Sequence, residues 1–168
     1  MGKDFTFTIG IVVVSDKGSR GEREDKSGPT IEKALNPIGG TVKKYDIVPD
    51  EKEAITSVIK EMADKLHIDL ILTSGGTGFS HRDNTPEATL EVINKFVPGI
   101  PEAMRAESLK ITPKAMLSRA VAGIRKSSLI INLPGSPKAV KESLDVLIPV
   151  LEHGIEILRG DASDCARH

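Results

Sequence analysis

The segment Phe5-Thr6-Phe7-Thr8-Ile9-Gly10-Ile11-Val12-Val13-Val14 begins with alternating residues and becomes continuously apolar and largely β-branched. That pattern belongs to a strand running from the margin of a sheet into its centre, where both faces are covered. It stops at Ser15-Asp16, and the charged, glycine-containing stretch 17–26 is too polar to pack. A helix is predicted from Ser27 through about Asn36. Gly28-Pro29-Thr30 opens it, Ile31, Ala34 and Leu35 stand at helical spacing, and Gly39-Gly40 closes the unit.

Strand and helix then alternate. Thr41–Val48 reads as a second strand, half exposed by its lysines, and Pro49-Asp50-Glu51 leads into a helix from Lys52 to Leu66 with Asp50 at the N-cap. Asp69–Thr73 is a short buried strand, and Thr85-Pro86-Glu87 starts a helix that extends to Phe96. Pro98-Gly99-Ile100-Pro101 interrupts, a helix follows from Glu102 to Lys110, and Thr112-Pro113 ends or restarts it. Ser118–Arg125 and Ser128–Leu133 read as a hairpin joined through Lys126-Ser127, and the last helix covers Lys138–Leu158. The expected fold is α/β: a three-layer α/β/α sandwich whose sheet is mostly parallel with one antiparallel strand.

The 168 residues suit one domain, 5–158, followed by a polar tail, 159–168. Lys and Arg number 23 against 24 Asp and Glu, so the net charge of −1 gives no basis for binding nucleic acid or an anionic membrane through bulk charge. Aromatics are 3% of residues, too few for a base-stacking platform. The single cysteine, Cys165, excludes an internal disulfide framework and fits a reducing compartment. With no signal-peptide pattern after Met1-Gly2-Lys3-Asp4 and no apolar run of membrane-spanning length, the expected location is the cytoplasm.

Chemistry concentrates in Thr73-Ser74-Gly75-Gly76-Thr77-Gly78-Phe79-Ser80-His81-Arg82-Asp83-Asn84-Thr85-Pro86-Glu87. Its glycines let the main chain turn with positive φ and approach a ligand closely, and Ser74 and Thr77 add hydroxyls. Arg82 can pair with a phosphate through two N–H groups, and Asp83 offers a carboxylate for a divalent cation or a reacting group. A glycine run can also be a plain turn, but the adjoining charges favour a phosphorylated ligand. Leu133-Pro134-Gly135-Ser136-Pro137 is either a second cradle or a strand-to-helix turn, and on residues alone the turn is favoured. For Asp50, residues alone favour the cap. If the parallel strands share a sheet, Ser15-Asp16, Pro49-Asp50, Thr73–Asp83 and Leu133–Pro137 converge on one edge. There is no Walker A loop and no dinucleotide fingerprint, and His67, His81, His153 and His168 lack zinc-site spacing.

These segments, with Ser19-Arg20-Gly21-Glu22, Asp25-Lys26-Ser27-Gly28-Pro29, Val48-Pro49-Asp50, Ser108-Leu109, Thr112-Pro113, Met116-Leu117-Ser118-Arg119 and Ile130–Ser136, resemble in order and spacing the MogA/MoaB molybdopterin-binding family and the similar gephyrin G domain. The resemblance covers Phe5 to Leu158. It implies an adenylyltransferase that uses ATP and Mg2+ to place AMP on the terminal phosphate of molybdopterin, releasing pyrophosphate. Asp50 and Asp83 fall on the family's catalytic, metal-binding acids. Ser15, Asp25, Ser27, Gly28, Ser74, Gly75, Gly76, Thr77, Gly78, Arg82, Ser108, Pro134, Gly135 and Ser136 fall on the phosphate, pterin and nucleotide pocket. It further implies a homotrimer, doubled in some members to a hexamer, and a molybdate-insertion protein as downstream partner. A noncatalytic pterin carrier or regulator on the same fold is the alternative.

Overall fold

A computed structural model describes residues 4–161; Met1-Gly2, Cys165 and most of the expected polar tail lie outside them. The six strands are β1 (Phe7–Val14), β2 (Gly40–Val48), β3 (Leu70–Ser74), β4 (Lys95–Phe96), β5 (Ala122–Arg125) and β6 (Ser128–Leu133). They form one sheet in the order β2-β1-β3-β6-β5-β4. β2, β1, β3 and β6 are parallel, and β5 is antiparallel to both neighbours, so it is the one reversed strand. Helices α1 (Asp16–Ser19), α2 (Ser27–Leu35), α3 (Lys52–Lys60), α4 (Thr85–Val92), α5 (Gly99–Leu109) and α6 (Pro137–Arg159) complete the domain.

The continuous apolar character of β1 follows from coverage on both faces. Ile9, Ile11 and Val13 pack with Ile31 and Leu35 of α2, Met104 of α5 and the α6 residues Val140, Leu144, Leu147, Leu151 and Ile155. Val12 and Val14 face the other way, against Ile55 and Ile59 of α3 and Ala88 and Val92 of α4. This is the expected three-layer sandwich. At Gly10 a Cβ would stand 2.6 Å from Met62 Sδ, so the glycine lets the helical layer approach β1.

Several boundaries differ from the sequence reading. The helix expected to reach Phe96 ends at Val92, because Asn94 N–H donates to Ile124 O (2.7 Å) and Val97 N–H to Ala122 O (3.0 Å), drawing the chain onto the sheet edge as β4. Residues 118–121 are not strand: Arg119 N–H donates to Thr77 O (2.9 Å), and the Arg105 guanidinium takes the carbonyls of Ser118 (3.3 Å) and Ala120 (3.0 Å). The polar stretch after β1 is not wholly unpacked, since Ser15 Oγ accepts from Gly18 N–H (3.0 Å) and caps α1. The expected helix from Lys52 to Leu66 ends in a π-helical turn, Glu61–Lys65, which carries Asp64 to Arg125 of β5.

Arg125 donates through Nε (2.9 Å) and Nη2 (2.7 Å) to the two Asp64 oxygens and through Nη1 to Val92 O (2.8 Å). This hydrogen bonding holds the Asp64 carboxyl at about 2. An unfolded aspartate titrates near ~3.9, so the pairing stabilises the fold above that pH and is lost as pH falls through the folded value. Between roughly pH 4 and 2, thermal unfolding should therefore show a shallower acid decline for Asp64→Asn than for the wild-type chain; parallel declines would contradict this.

Candidate functional site

Because β1, β2, β3 and β6 are parallel, the loops after them emerge at one sheet edge, as expected for Ser15-Asp16, Pro49-Asp50, the glycine loop and Leu133–Ser136. The first two loops are interlocked. Asp16 N–H donates to Asp50 Oδ2 (2.8 Å), and Asp50 N–H donates to Asp16 Oδ1 (3.0 Å). The helix-cap reading of Asp50 is thereby corrected. The cap position of α3 belongs to Glu51, which makes no side-chain capping bond, while the Asp50 carboxylate turns across to the neighbouring loop. Burial raises the Asp50 carboxyl above its ordinary value, and the Asp16 and Asp83 charges push the same way.

The glycine loop leaves β3 through two left-handed residues, Gly75 (φ +100) and Gly76 (φ +68). A Cβ on Gly75 would lie 2.5 Å from Val14 O, and one on Gly76 would lie 2.3 Å from Thr85 Oγ1 and 3.3 Å from Asp50 Oδ1. Gly78 departs from expectation, because its φ is not positive; its open Cα instead faces Asp83 Oδ2, which would lie 3.0 Å from a Cβ. Asp50 thus flanks the loop at Gly76 and Asp83 flanks it at Gly78. Asp83 Oδ2 also accepts from Ser80 N–H (3.0 Å). Among the described residues, the N–H groups of Gly76, Thr77 and Gly78 have no acceptor.

Beneath the loop lies a polar chain. Asn132 of β6, fully buried, donates through Nδ2 to Thr73 Oγ1 (2.9 Å) and Thr89 Oγ1 (2.8 Å), and its Oδ1 accepts from Val121 N–H (3.2 Å). Thr89 Oγ1 donates to Thr85 O (2.9 Å), Thr85 Oγ1 to Gly75 O (2.8 Å), and Thr85 N–H to Gly76 O (3.1 Å). No buried side-chain polar atom among the described residues lacks a partner, so the chain from β6 through α4 to the loop is satisfied throughout.

The expected site residues divide between two cavities. One of about 640 Å³ is lined by Ser15, Asp25, Ser27, Asp50, Ser74, Gly75, Gly76, Gly135 and Ser136, among others. A second, of about 300 Å³, is lined by Thr77, Gly78, Ser108 and Pro134 together with Arg105, Thr112 and Lys114. Gly28 packs beneath Tyr45 and Asp25 and lines neither; Arg82 and Asp83 also stand outside both linings. The glycine loop and the Leu133–Ser136 loop contribute to both cavities.

Some of these residues hold the frame with the same atoms expected to meet a ligand. Ser74 Oγ donates to Pro134 O (2.8 Å) and Ser27 Oγ to Gly135 O (3.0 Å), fastening the second loop to its neighbours. The Asp25 carboxylate accepts from the N–H groups of Ser27 (2.9 Å) and Gly28 (2.8 Å) at the start of α2 and from the Tyr45 hydroxyl. Burial and the hydrogen bond to Asp25 raise the Tyr45 phenol. Ser136 Oγ accepts from Ala139 N–H (3.2 Å) and caps α6. Arg82 donates its fork to Asp16, Nε to Oδ2 (3.0 Å) and Nη2 to Oδ1 (2.9 Å), which holds the Asp16 carboxyl below the usual range. Arg119, which in the sequence reading belongs only to the family-like segment Met116-Leu117-Ser118-Arg119 and has no role of its own, donates to two carbonyls of the glycine loop, Gly78 O (2.7 Å) and Asp83 O (2.9 Å).

Residues 10–153 match the model of a family described as a probable molybdopterin binding domain. A molybdopterin adenylyltransferase of Helicobacter pylori is 44% identical over 161 residues, 93% of this chain and 90% of that protein. One of Escherichia coli is 43% identical over 156 residues, covering 89% and 80%. The crystal structure of the molybdopterin biosynthesis enzyme MoaB of Thermus thermophilus superposes with a TM-score of 0.86 at 49% identity, covering 92% of this chain and 98% of that one.

Gly75 and Gly78 should separate stability from site geometry. Gly75→Ala combines a left-handed φ with a clash against backbone, so it should lower unfolding stability by about 2 kcal/mol. Gly78→Ala should cost less than about 1 kcal/mol, because the atom in its way is a side-chain carboxylate that can move. Denaturant unfolding of both variants measures the difference, and equal losses would contradict the assignment.

Proposed function

Because this chain belongs to the molybdopterin-binding domain family, we propose that it is a molybdopterin adenylyltransferase acting in molybdenum cofactor biosynthesis. An oxygen of the terminal phosphate of molybdopterin attacks the α-phosphorus of ATP. The P–O bond to the β-phosphate breaks, and adenylylated molybdopterin and pyrophosphate are formed. The observation that carries this reading is the placement of Asp50 beside Gly76 and of Asp83 beside Gly78 in one glycine loop that borders two cavities. Two cavities meeting at one loop suit two substrates joined by a phosphoryl bridge.

The N–H groups of Gly76, Thr77 and Gly78 are suited to receive a phosphate, and Ser15, Ser74, Pro134, Gly135, Ser136 and Ser108 form walls for the pterin and nucleotide. Asp25, Ser27 and Gly28 shape the larger cavity chiefly by fixing the start of α2. Arg82, whose fork rests on Asp16, brings a positive charge that partly opposes the raising of the Asp50 carboxyl by burial.

The donor set fits magnesium. Asp50 and Asp83 are hard carboxylates, and each engages only one of its oxygens within the chain among the described residues. No group of three or more His, Cys, Asp or Glu side chains suited to a metal occurs among those residues, so substrate phosphates and water would complete the shell. A magnesium ion held by Asp50 and Asp83 would supply charge stabilisation for the transferring phosphoryl group and pyrophosphate.

The proposal extends to a homotrimer, doubled to a hexamer in some assemblies, and the exposed apolar side chains of Ile111, Met116 and Leu117 support burial against another copy. It extends also to a cytoplasmic location and to delivery of the product to a molybdate-insertion protein. No helix among the described residues is long and apolar enough to cross a membrane.

Purified protein should release pyrophosphate from ATP only when molybdopterin and a divalent cation are both present. Asp83→Asn should lower kcat on the order of 100-fold while still binding pterin. Equal turnover by the variant would end the catalytic assignment, and tight pterin binding with no ATP consumption by the wild type would identify a carrier. The ionised form of Asp50 is required, so at limiting divalent cation the rate should fall as pH drops through its raised pKa, with an acid limb above the ordinary carboxylate range of about 4 that saturating cation moves to lower pH. Arg82 opposes that elevation, so Arg82→Gln should move the limb to higher pH. An unmoved limb would contradict the influence of Arg82 on Asp50.

A further inference from the structure

We propose that Arg119 is a positioning residue that holds the Asp83 end of the glycine loop at a set distance from Asp50; the proposal rests on the adenylyl-transfer reading. The loop from Thr77 to Asp83 has few internal restraints. Asp83 N–H donates to Ser80 O (2.9 Å), Ser80 N–H to Asp83 Oδ2 (3.0 Å), and Arg82 N–H to Ser80 Oγ (3.3 Å). These bonds shape the tip into a unit without tying it to the sheet.

Arg119 ties it at both ends. Its backbone N–H donates to Thr77 O (2.9 Å) and its Nε to Gly78 O (2.7 Å) where the tip begins. Its Nη2 donates to Asp83 O (2.9 Å) where the tip ends, and its Nη1 pairs with Glu87 in α4. One planar guanidinium therefore spans the loop, and the Glu87 carboxylate orients it. Arg119 itself stands on a segment with no ladder of its own, and Arg105 of α5 fastens that segment by taking the carbonyls of Ser118 and Ala120. The result is a continuous strut from α5 through residues 118–120 to the backbone of Asp83. Toward the β1 and β2 loops, the side-chain hydrogen bonds of this stretch among the described residues are those of Arg82, to Asp16 and Glu51, and of Asn84, whose Nδ2 donates to Asp50 O (3.4 Å). A lysine at 119 would keep the charge but not the fork that reaches two carbonyls and a carboxylate together.

Phosphoryl transfer between two bound substrates depends on placement, and displacing a group by about 1 Å costs on the order of 100-fold in rate. Arg119→Lys and Arg119→Ala test the strut by two readouts. Hydrogen exchange at the bonded amides of the tip, Ser80, Arg82 and Asp83, should rise about tenfold or more in both variants while amides of β1, β3 and β6 keep wild-type protection. In the pyrophosphate assay kcat should fall about tenfold for the lysine variant and on the order of 100-fold for the alanine variant, with KM for molybdopterin and for ATP within about threefold of wild type. Arg125→Lys, which loosens an equally bonded arginine away from the sheet edge, should lower the melting temperature without this split. The proposal is overturned if loop exchange is unchanged, if kcat stays within about twofold of wild type, or if protection is lost across the whole sheet together with both KM values. If the wild-type chain releases no pyrophosphate, adenylyl transfer fails as a reading, and the exchange measurement still decides whether Arg119 restrains the loop.

Discussion

Asp16 and Asp50 exchange backbone-to-carboxylate hydrogen bonds across the mouths of β1 and β2, and the candidate site depends on that exchange. Each aspartate satisfies the other's N–H, so the two loops stay joined beyond the last β1–β2 pairing, where Ser15 N–H donates to Val48 O (2.9 Å). The arrangement sets two like charges near each other and within reach of Asp83. Its repulsion is offset by Arg82, which reaches from the glycine loop and places both donors of its fork on Asp16. Three loops from three strands are thereby coupled. The carboxylate left partly free by the exchange is that of Asp50, buried enough to be raised in pKa and directed at Gly76.

The glycine loop is supported from beneath and from one side by chemistry of a different kind. Beneath it, Asn132, Thr73, Thr89 and Thr85 form a buried polar chain that ends on the carbonyls of Gly75 and Gly76. Such a chain is costly to break, since an unpaired buried polar group costs about 1–3 kcal/mol. From the side, Arg119 takes the carbonyls of Gly78 and Asp83. With its carbonyls engaged in this way, the loop leaves the N–H groups of Gly76, Thr77 and Gly78 without acceptors among the described residues, the polarity that an anionic substrate requires. The same loop backbone that accepts hydrogen bonds from the frame is thus left to donate to a phosphate.

Much of this was legible in the sequence because the signals were local. The β-branched run of β1, the helix start at Thr85-Pro86-Glu87 and the glycines after β3 each depend on neighbours within a few positions, and the alternation of strand and helix was enough to place four loops at one edge. What was not legible depended on distance. Asp50 has the sequence surroundings of a helix cap, and only the parallel pairing of β1 with β2 brings Asp16 close enough to redirect it. Arg119 lies 41 residues from the carbonyl it holds, in a stretch whose apolar character reads as strand. β4 forms where the sheet edge captures a helix end, a tertiary pairing that outweighs local propensity. At Gly78 the glycine accommodates a carboxylate rather than a left-handed turn, a distinction that composition cannot make.

The central claim is that Asp50 and Asp83, which meet a single loop at Gly76 and Gly78, act on one phosphoryl group. Anomalous diffraction from crystals grown with molybdopterin, a nonhydrolysable ATP analogue and Mn2+ in place of Mg2+ tests it most directly. The account predicts one manganese peak at the glycine loop, coordinated by the carboxylates of both Asp50 and Asp83 and by oxygens of the bound phosphates. A manganese ion held by neither acid, with the phosphates of both substrates away from Gly76–Gly78, would contradict it.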